Sequence, residues 1–149
     1  MPTLNWIGKE KVINHHQDVP YKILEPQYGF ADGVQKSEPN ESGNKIIHGD
    51  NLEALKSLLP EYEGKIKCIY IDPPYNTGNA FEHYDDGVEH SIWLDLMSQR
   101  LKILKTLLKE DGVIFVQIDE SEGAYLKAMM DEIFGRNNYE TTFYIQVRY

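Results

Sequence analysis

The stretch CIYIDPPYNTGN, residues 68–79, decides how the rest of the chain is read. An apolar run ends abruptly at Asp72, two prolines follow, and an aromatic residue then leads into a small polar loop. The run KIKCIYI, residues 65–71, has the near-continuous apolar character of a strand covered on both faces of a parallel sheet. Asp72 therefore stands at the carboxyl end of a strand, where open α/β sheets hold their ligands.

Working outward, KIIHGD (45–50) reads as a shorter strand, and Asp50 is placed to cap a helix with Glu53 three positions on, as in a capping box. Leu52, Leu55 and Leu59 give that helix its apolar spacing, and Pro60 marks its stop. Downstream, Trp93, Met97, Leu101, Leu104 and Leu108 repeat at helical spacing, KEDG (109–112) closes that helix, and VIFVQI (113–118) supplies another strand. Asp119 with Glu122 can cap a last helix whose inner face is Leu126, Met129, Met130 and Ile133, with Gly135 as its C-cap. The tail ETTFYIQVRY (140–149) alternates like a half-exposed strand.

The sum is strand, helix, strand, helix, strand, helix, strand, an α/β class with a mostly parallel sheet. Asp50, Asp72 and Asp119 each fall at the end of an expected strand, three carboxylates on one rim. Strand-end aspartates are also ordinary helix caps, and for Asp50 and Asp119 that reading stands equally. The loop from Asp72 to about His90 is long for a compact domain, and loops of that length are often functional.

Composition narrows the class. The 149 residues suit one domain, with 41% hydrophobic and 26% charged residues as in globular proteins. No apolar run reaches the roughly 18 residues of a membrane span, and no basic-then-apolar signal opens the chain, so the expectation is a cytoplasmic protein without a membrane partner. The formal charge of −9 has the wrong sign for gripping nucleic-acid phosphates unaided. The single cysteine, Cys68, excludes an internal disulfide and reads as a buried thiol. The five histidines lack metal-ligand spacing, and YDDG (84–87) reads as a solvated turn before an acidic metal pair. Four of the seven prolines lie in the first 44 residues, and SEPNESGN (37–44) is a polar loop, so this region reads as a wrapping arm.

The order Asp-Pro-Pro-Tyr has a chemical use. An amine conjugated to an aromatic base is a poor nucleophile until acceptors hold its N–H groups and its lone pair turns to the electrophile. Asp72 offers one strong acceptor and a proline-fixed backbone carbonyl a second. Tyr75 offers a face on which a base stacks. An amine inside a duplex is out of reach, so the base would be flipped into the site. The alternative is a rigid turn leaving a strand, which two prolines readily make.

IYIDPPYNTGN resembles the catalytic motif of amino-methyltransferases acting on DNA. With HGDNLEAL upstream, LKEDGVIFVQIDE and MMDEIFGRNNY downstream and the opening LNWIGKEKVINHH, the chain is similar to the modification subunit of type III restriction-modification systems. That resemblance implies a Rossmann-like fold, S-adenosyl-L-methionine as cofactor, adenine N6 in double-stranded DNA as target, and a restriction subunit as partner. By position it implies that Asp72 and the Pro73 carbonyl hold the amine, Pro74 shapes the turn, Tyr75 stacks on the adenine, and Asp50 with Asn51 meets the cofactor's adenine. It divides the chain into an arm, 1–44, and a partial methyltransferase domain, 45–149.

The family places a glycine-rich cofactor loop late in its sequence, and no F-x-G-x-G follows any strand here. YGFADG (28–33) lacks a preceding apolar strand. The expectation is a part of the enzyme that carries the amine-binding half of the site and does not turn over alone, with exposed sheet edges that drive dimers or soluble aggregates. Two other classes fit the residues: a non-catalytic assembly module, and an amino-methyltransferase for RNA or protein.

Overall fold

The computed structural model describes residues 3–37, 43–76 and 90–146. In chain order these form helices α1 (Lys9–Val12) and α2 (His15–Asp18), strands β1 (Gly29–Ala31) and β2 (Val34–Lys36), helix α3 (Asn51–Tyr62) and strand β3 (Ile66–Ile71). Helix α4 (His90–Leu107), strand β4 (Leu108–Val116) and helix α5 (Glu120–Met130) complete them, with a π-helical turn at Asp131–Gly135 and a 3-10 turn at Arg136–Asn138. Together they are a mixed α/β arrangement whose main sheet is the parallel pair β3–β4.

Helix α4 is the hub. Trp93, Leu94, Met97, Leu101, Ile103, Leu104 and Leu107 are all buried along it, wider than the single stripe the spacing predicts, because neighbours lie on several sides. It touches α1, α2, α3, α5 and β4. Leu126 and Met129 of α5 and Ile69 of β3 close the core, and Leu52, Leu55 and Leu59 of α3 pack against it. Leu4 and Trp6 also pack there, and the Trp6 indole donates to Asp95 Oδ1 at 2.5 Å. The Lys9 ammonium, 2.7 Å from Glu132, fastens the same segment to the far end of α5.

Both expected caps form. Asp50 Oδ1 accepts from the backbone N–H groups of Leu52 and Glu53, and Asp119 Oδ1 accepts from Ser121. The capping-box partners do other work: Glu53 pairs with Lys22 at 3.6 Å, and Glu122 turns inward to Asn76 and His90. Pro60 does not stop α3, which runs to Tyr62, since a proline in the last turn removes only one late backbone bond.

The strands correct several expectations. Residues 43–49, KIIHGD included, form no strand, and neither do residues 139–146 of the tail, so the described main sheet has two strands. Asp50 accordingly follows an irregular segment, whereas Asp72 and Asp119 follow parallel strands. KEDG does not lie between helix and strand. Ile66 pairs with Leu108 and Cys68 with Val113, so KEDG is a bulge inside β4. Gly112 allows it, because a Cβ there would stand 2.9 Å from the Ile66 carbonyl oxygen.

Among the described residues the sheet is covered on one face alone. Ile69, Ile71, Ile114 and Val116 face the core, while Tyr70, Val113 and Phe115 remain 62%, 39% and 42% exposed. The period of two puts Cys68 on the open face, so its thiol is exposed rather than buried. YGFADG forms the β1–β2 hairpin, with Asp32 at φ 55° and Gly33 at φ 76°, the positive pair that a tight Asp-Gly hairpin turn needs. No helix of the described residues is long and apolar enough to cross a membrane.

Two stability measurements follow. Leu101→Ala is expected to cost about 2–5 kcal/mol in denaturant unfolding, and Cys68→Ser, on the open face, less than about 0.5 kcal/mol. His16 of α2, near the Lys56 and Lys102 ammonium groups, has a buried Nδ1 with no hydrogen-bond partner among the described residues, and burial, then those charges, lower its pKa from 6.5. The unfolded chain then binds this proton more readily, so His16 removes stability as pH falls below 6.5. A denaturation series from pH 7.5 downward should flatten in His16→Leu.

Candidate active site

The site grows from the carboxyl end of β3. The strand leaves the sheet at Ile71, whose carbonyl accepts from the Gln117 N–H at 2.9 Å, and the next residue is Asp72, exposed to solvent. Pro73 is buried and Pro74 and Tyr75 half-buried, so the dipeptide seats the turn against the protein while its acid faces out. Proline fixes φ and removes competing N–H donors, which keeps these carbonyls in place.

Each residue of the turn is held. The indole N–H of Trp93, fully buried in α4, donates to the Pro74 carbonyl at 2.6 Å. Among the described residues no donor is bonded to the Pro73 carbonyl. The Tyr75 hydroxyl hydrogen-bonds the Asp72 carboxylate and accepts from Gln117 Nε2 at 2.5 Å, and Gln117 Oε1 accepts in turn from the Tyr70 hydroxyl. Burial first, and Asp72 after it, raise the Tyr75 phenol above 10.0, against the pull of Gln117. Tyr75 thus stays a neutral phenol throughout the physiological range.

Asn76, at φ 58°, bends the chain after Tyr75, a conformation Asn accepts more readily than most residues. Its side-chain amide donates to Glu122 Oε1 at 2.7 Å, and His90 Nδ1 lies 2.9 Å from the same oxygen. The His90 ring also meets Tyr125 edge-on, with centroids 4.3 Å apart. Most of the long loop, residues 77–89 with YDDG and His83, lies outside the described residues. Among the described residues no three His, Cys, Asp or Glu gather as metal ligands.

Asp50 and Asn51 stand apart from this turn, at the start of α3. Asn51 Oδ1 accepts from Arg100 Nε at 2.7 Å, and Arg100, whose pKa burial lowers and Asp50 raises, ties α3 to α4. Asp50 Oδ1 is committed to the cap. What these two residues keep for a ligand is Asp50 Oδ2 and the Asn51 amide, one acceptor and one donor. That suits the edge of a nucleoside and is too little for a cradle.

Sequence reasoning located the Asp-Pro-Pro-Tyr turn and missed what braces it. Trp93 reads as plain core and Glu122 as a cap partner. The signal for Glu122 was present: it lies four residues before Leu126 and seven before Met129, a carboxylate on the apolar stripe of its own helix. Gln117 and Arg100 carry no such pattern.

A strand-end acid, two prolines and a tyrosine thus stand together beyond a parallel pair. Comparison with known proteins gives the class a family. Residues 66–148 match the DNA methylase family, and the chain belongs to that family. It is 56% identical over 116 residues, 73% of its length, to the probable type III restriction-modification enzyme HindVI Mod subunit of Haemophilus influenzae. It is 37% identical over 167 aligned positions, 92% of its length, to the type III restriction-modification enzyme EcoPI Mod subunit of Escherichia phage P1. The type II methyltransferase M.EcaI of Enterobacter cloacae is 38% identical over 92% of the chain. The chain spans 16%, 25% and 30% of the length of these three relatives.

Proposed function

We propose that this chain carries the amine-binding half of the active site of a DNA adenine-N6 methyltransferase, within the modification subunit of a type III restriction-modification system. The observation that carries the reading is the braced Asp-Pro-Pro-Tyr turn at the carboxyl end of β3, inside the stretch that matches the DNA methylase family. The parallel pair β3–β4 with α4 between its strands is, in this reading, part of a larger Rossmann-like sheet.

In the mechanism, Asp72 and the Pro73 carbonyl accept the two N6–H bonds of a flipped adenine, and Pro74, anchored by Trp93, keeps that carbonyl from turning away. Tyr75 stacks on the base. S-adenosyl-L-methionine supplies an electrophilic methyl on a sulfonium. Held in this way, N6 would present its lone pair, freed from conjugation, to that methyl, and Asp72 would take the surplus N6 proton. Asp50 Oδ2 and the Asn51 amide would hold the adenosine edge of that cofactor.

Before the base arrives, the Tyr75 hydroxyl occupies Asp72, so the amine exchanges with a donor already in place. This keeps the carboxylate oriented at little reorganisation cost.

Turnover needs more than this chain holds. The relatives are about three to five times as long by the shares matched, and the glycine-bearing YGFADG is a hairpin with no parallel strand before it among the described residues. The charge of −9 leaves the grip on DNA phosphates to other sequence, and the restriction subunit is a partner of the whole protein. An arm over residues 1–44 and a methyltransferase portion over 45–149 divide the labour, and the open sheet face favours self-association in the isolated chain.

In the complete methyltransferase, Asp72→Ala is expected to abolish methyl transfer with an unchanged melting temperature. Tyr75→Phe, which keeps the stacking face and frees Asp72, should retain or improve binding of a flipped base. Tyr75→Ala should lose about 1–3 kcal/mol of it, read by titration of DNA carrying 2-aminopurine at the target position. The purified chain alone should neither methylate unmodified DNA nor gain thermal stability with millimolar S-adenosylhomocysteine. Methylation by the chain alone overturns the claim that it needs more sequence.

A further inference from the structure

Glu122 is 3% exposed, the most buried of the acidic residues in the described core, and its Oε2 lies 2.9 Å from His90 Nδ1. Burying a carboxylate is costly, and it is kept only where its partners hold it. Here it stands on the apolar stripe of Leu126 and Met129. What it holds there explains the choice.

Its contacts point to the site. Glu122 Oε1 receives the Asn76 amide at 2.7 Å and lies 2.9 Å from His90 Nδ1. Asn76 follows Tyr75 directly and holds a positive φ of 58°. On the other side of Tyr75, the Pro74 carbonyl is bonded to Trp93. The backbone of Tyr75 is therefore fixed at both neighbours, at one by the core helix α4 and at the other by a buried acid of α5.

We propose that Glu122 is a positioning residue for the amine site: through Asn76 it fixes the backbone of Tyr75 and the plane of the ring offered to the target base. The inference rests on the reading of Asp72–Tyr75 as the amine site. Glu122 itself touches no reacting atom.

The Trp93 indole N–H is a reporter that needs no catalysis, since it bonds the next carbonyl along the same turn. The chain has two tryptophans, so its two indole resonances in a nitrogen–proton correlation spectrum are assigned with Trp6→Phe. Glu122→Met and Asn76→Ala should displace the Trp93 resonance in the same direction, and the double variant should move it no further than either alone, as for residues acting in one chain of contacts. Glu122→Gln, whose amide oxygen still accepts from Asn76, should leave it near the parent position. Glu122→Met also strips His90 of its partner and should melt below the parent, whereas His90→Leu, which loses the same ion pair without touching Asn76, should leave the Trp93 resonance near the parent position.

In the methyltransferase of full length, Glu122→Met should lower kcat on DNA on the order of 10- to 100-fold, with the KM for the methyl donor unchanged. Trp93 unmoved in Asn76→Ala, additive shifts, or a Trp93 shift with kcat intact would each overturn the proposal. Should Glu122→Met not fold, the Asn76→Ala and Glu122→Gln comparisons decide it alone. If the full-length protein methylates nothing, the amine-site reading fails, and a Trp93 displacement would still show the pinning by itself.

Discussion

The hydrogen bond from Trp93 to the Pro74 carbonyl joins the core of this protein to its Asp-Pro-Pro-Tyr turn. Trp93 is completely buried near the start of α4, the helix against which nearly everything else packs. An indole buried at that depth must satisfy its N–H, and the acceptor it finds is the turn that presents Asp72. The need to satisfy one donor and the need to immobilise one carbonyl are met by the same bond. This ties the turn to the core behind it. The loop is therefore structured by the packing of α4, and the packing of α4 is what the leucines, methionine and tryptophan of residues 93–107 specify.

How far the sequence reveals this differs from element to element. Apolar spacing identified α3, α4 and α5, and the caps Asp50 and Asp119 form as their residue types require. The apolar runs before Asp72 and Asp119 identified β3 and β4. KIIHGD and ETTFYIQVRY carry the same local signal and form no strand among the described residues, because a strand exists only with a neighbour to receive its backbone bonds. Pattern reads side chains, and pairing is a property of the partner. The same reason explains Cys68: its apolar neighbours imply burial on both faces, and the described structure covers one.

Within the site the legible and the illegible divide by chemistry. Asp72, the prolines and Tyr75 announce themselves by order along the chain. Trp93, Gln117 and Glu122 reach the turn from 19 to 46 residues away, through their contacts with Pro74, Tyr75 and Asn76. No local pattern encodes such distances. A tryptophan on an apolar stripe looks the same whether its N–H caps a catalytic carbonyl or a helix, and only a carboxylate on that stripe is out of place enough to notice.

Glu122 also meets His90, and so it receives the residues on either side of segment 77–89. One carboxylate is thus a knot tied in two strands of the same thread, the residue after Tyr75 and the first residue of α4. A substitution at Glu122 is therefore never the loss of a single contact: it lets go of two points of the chain at once.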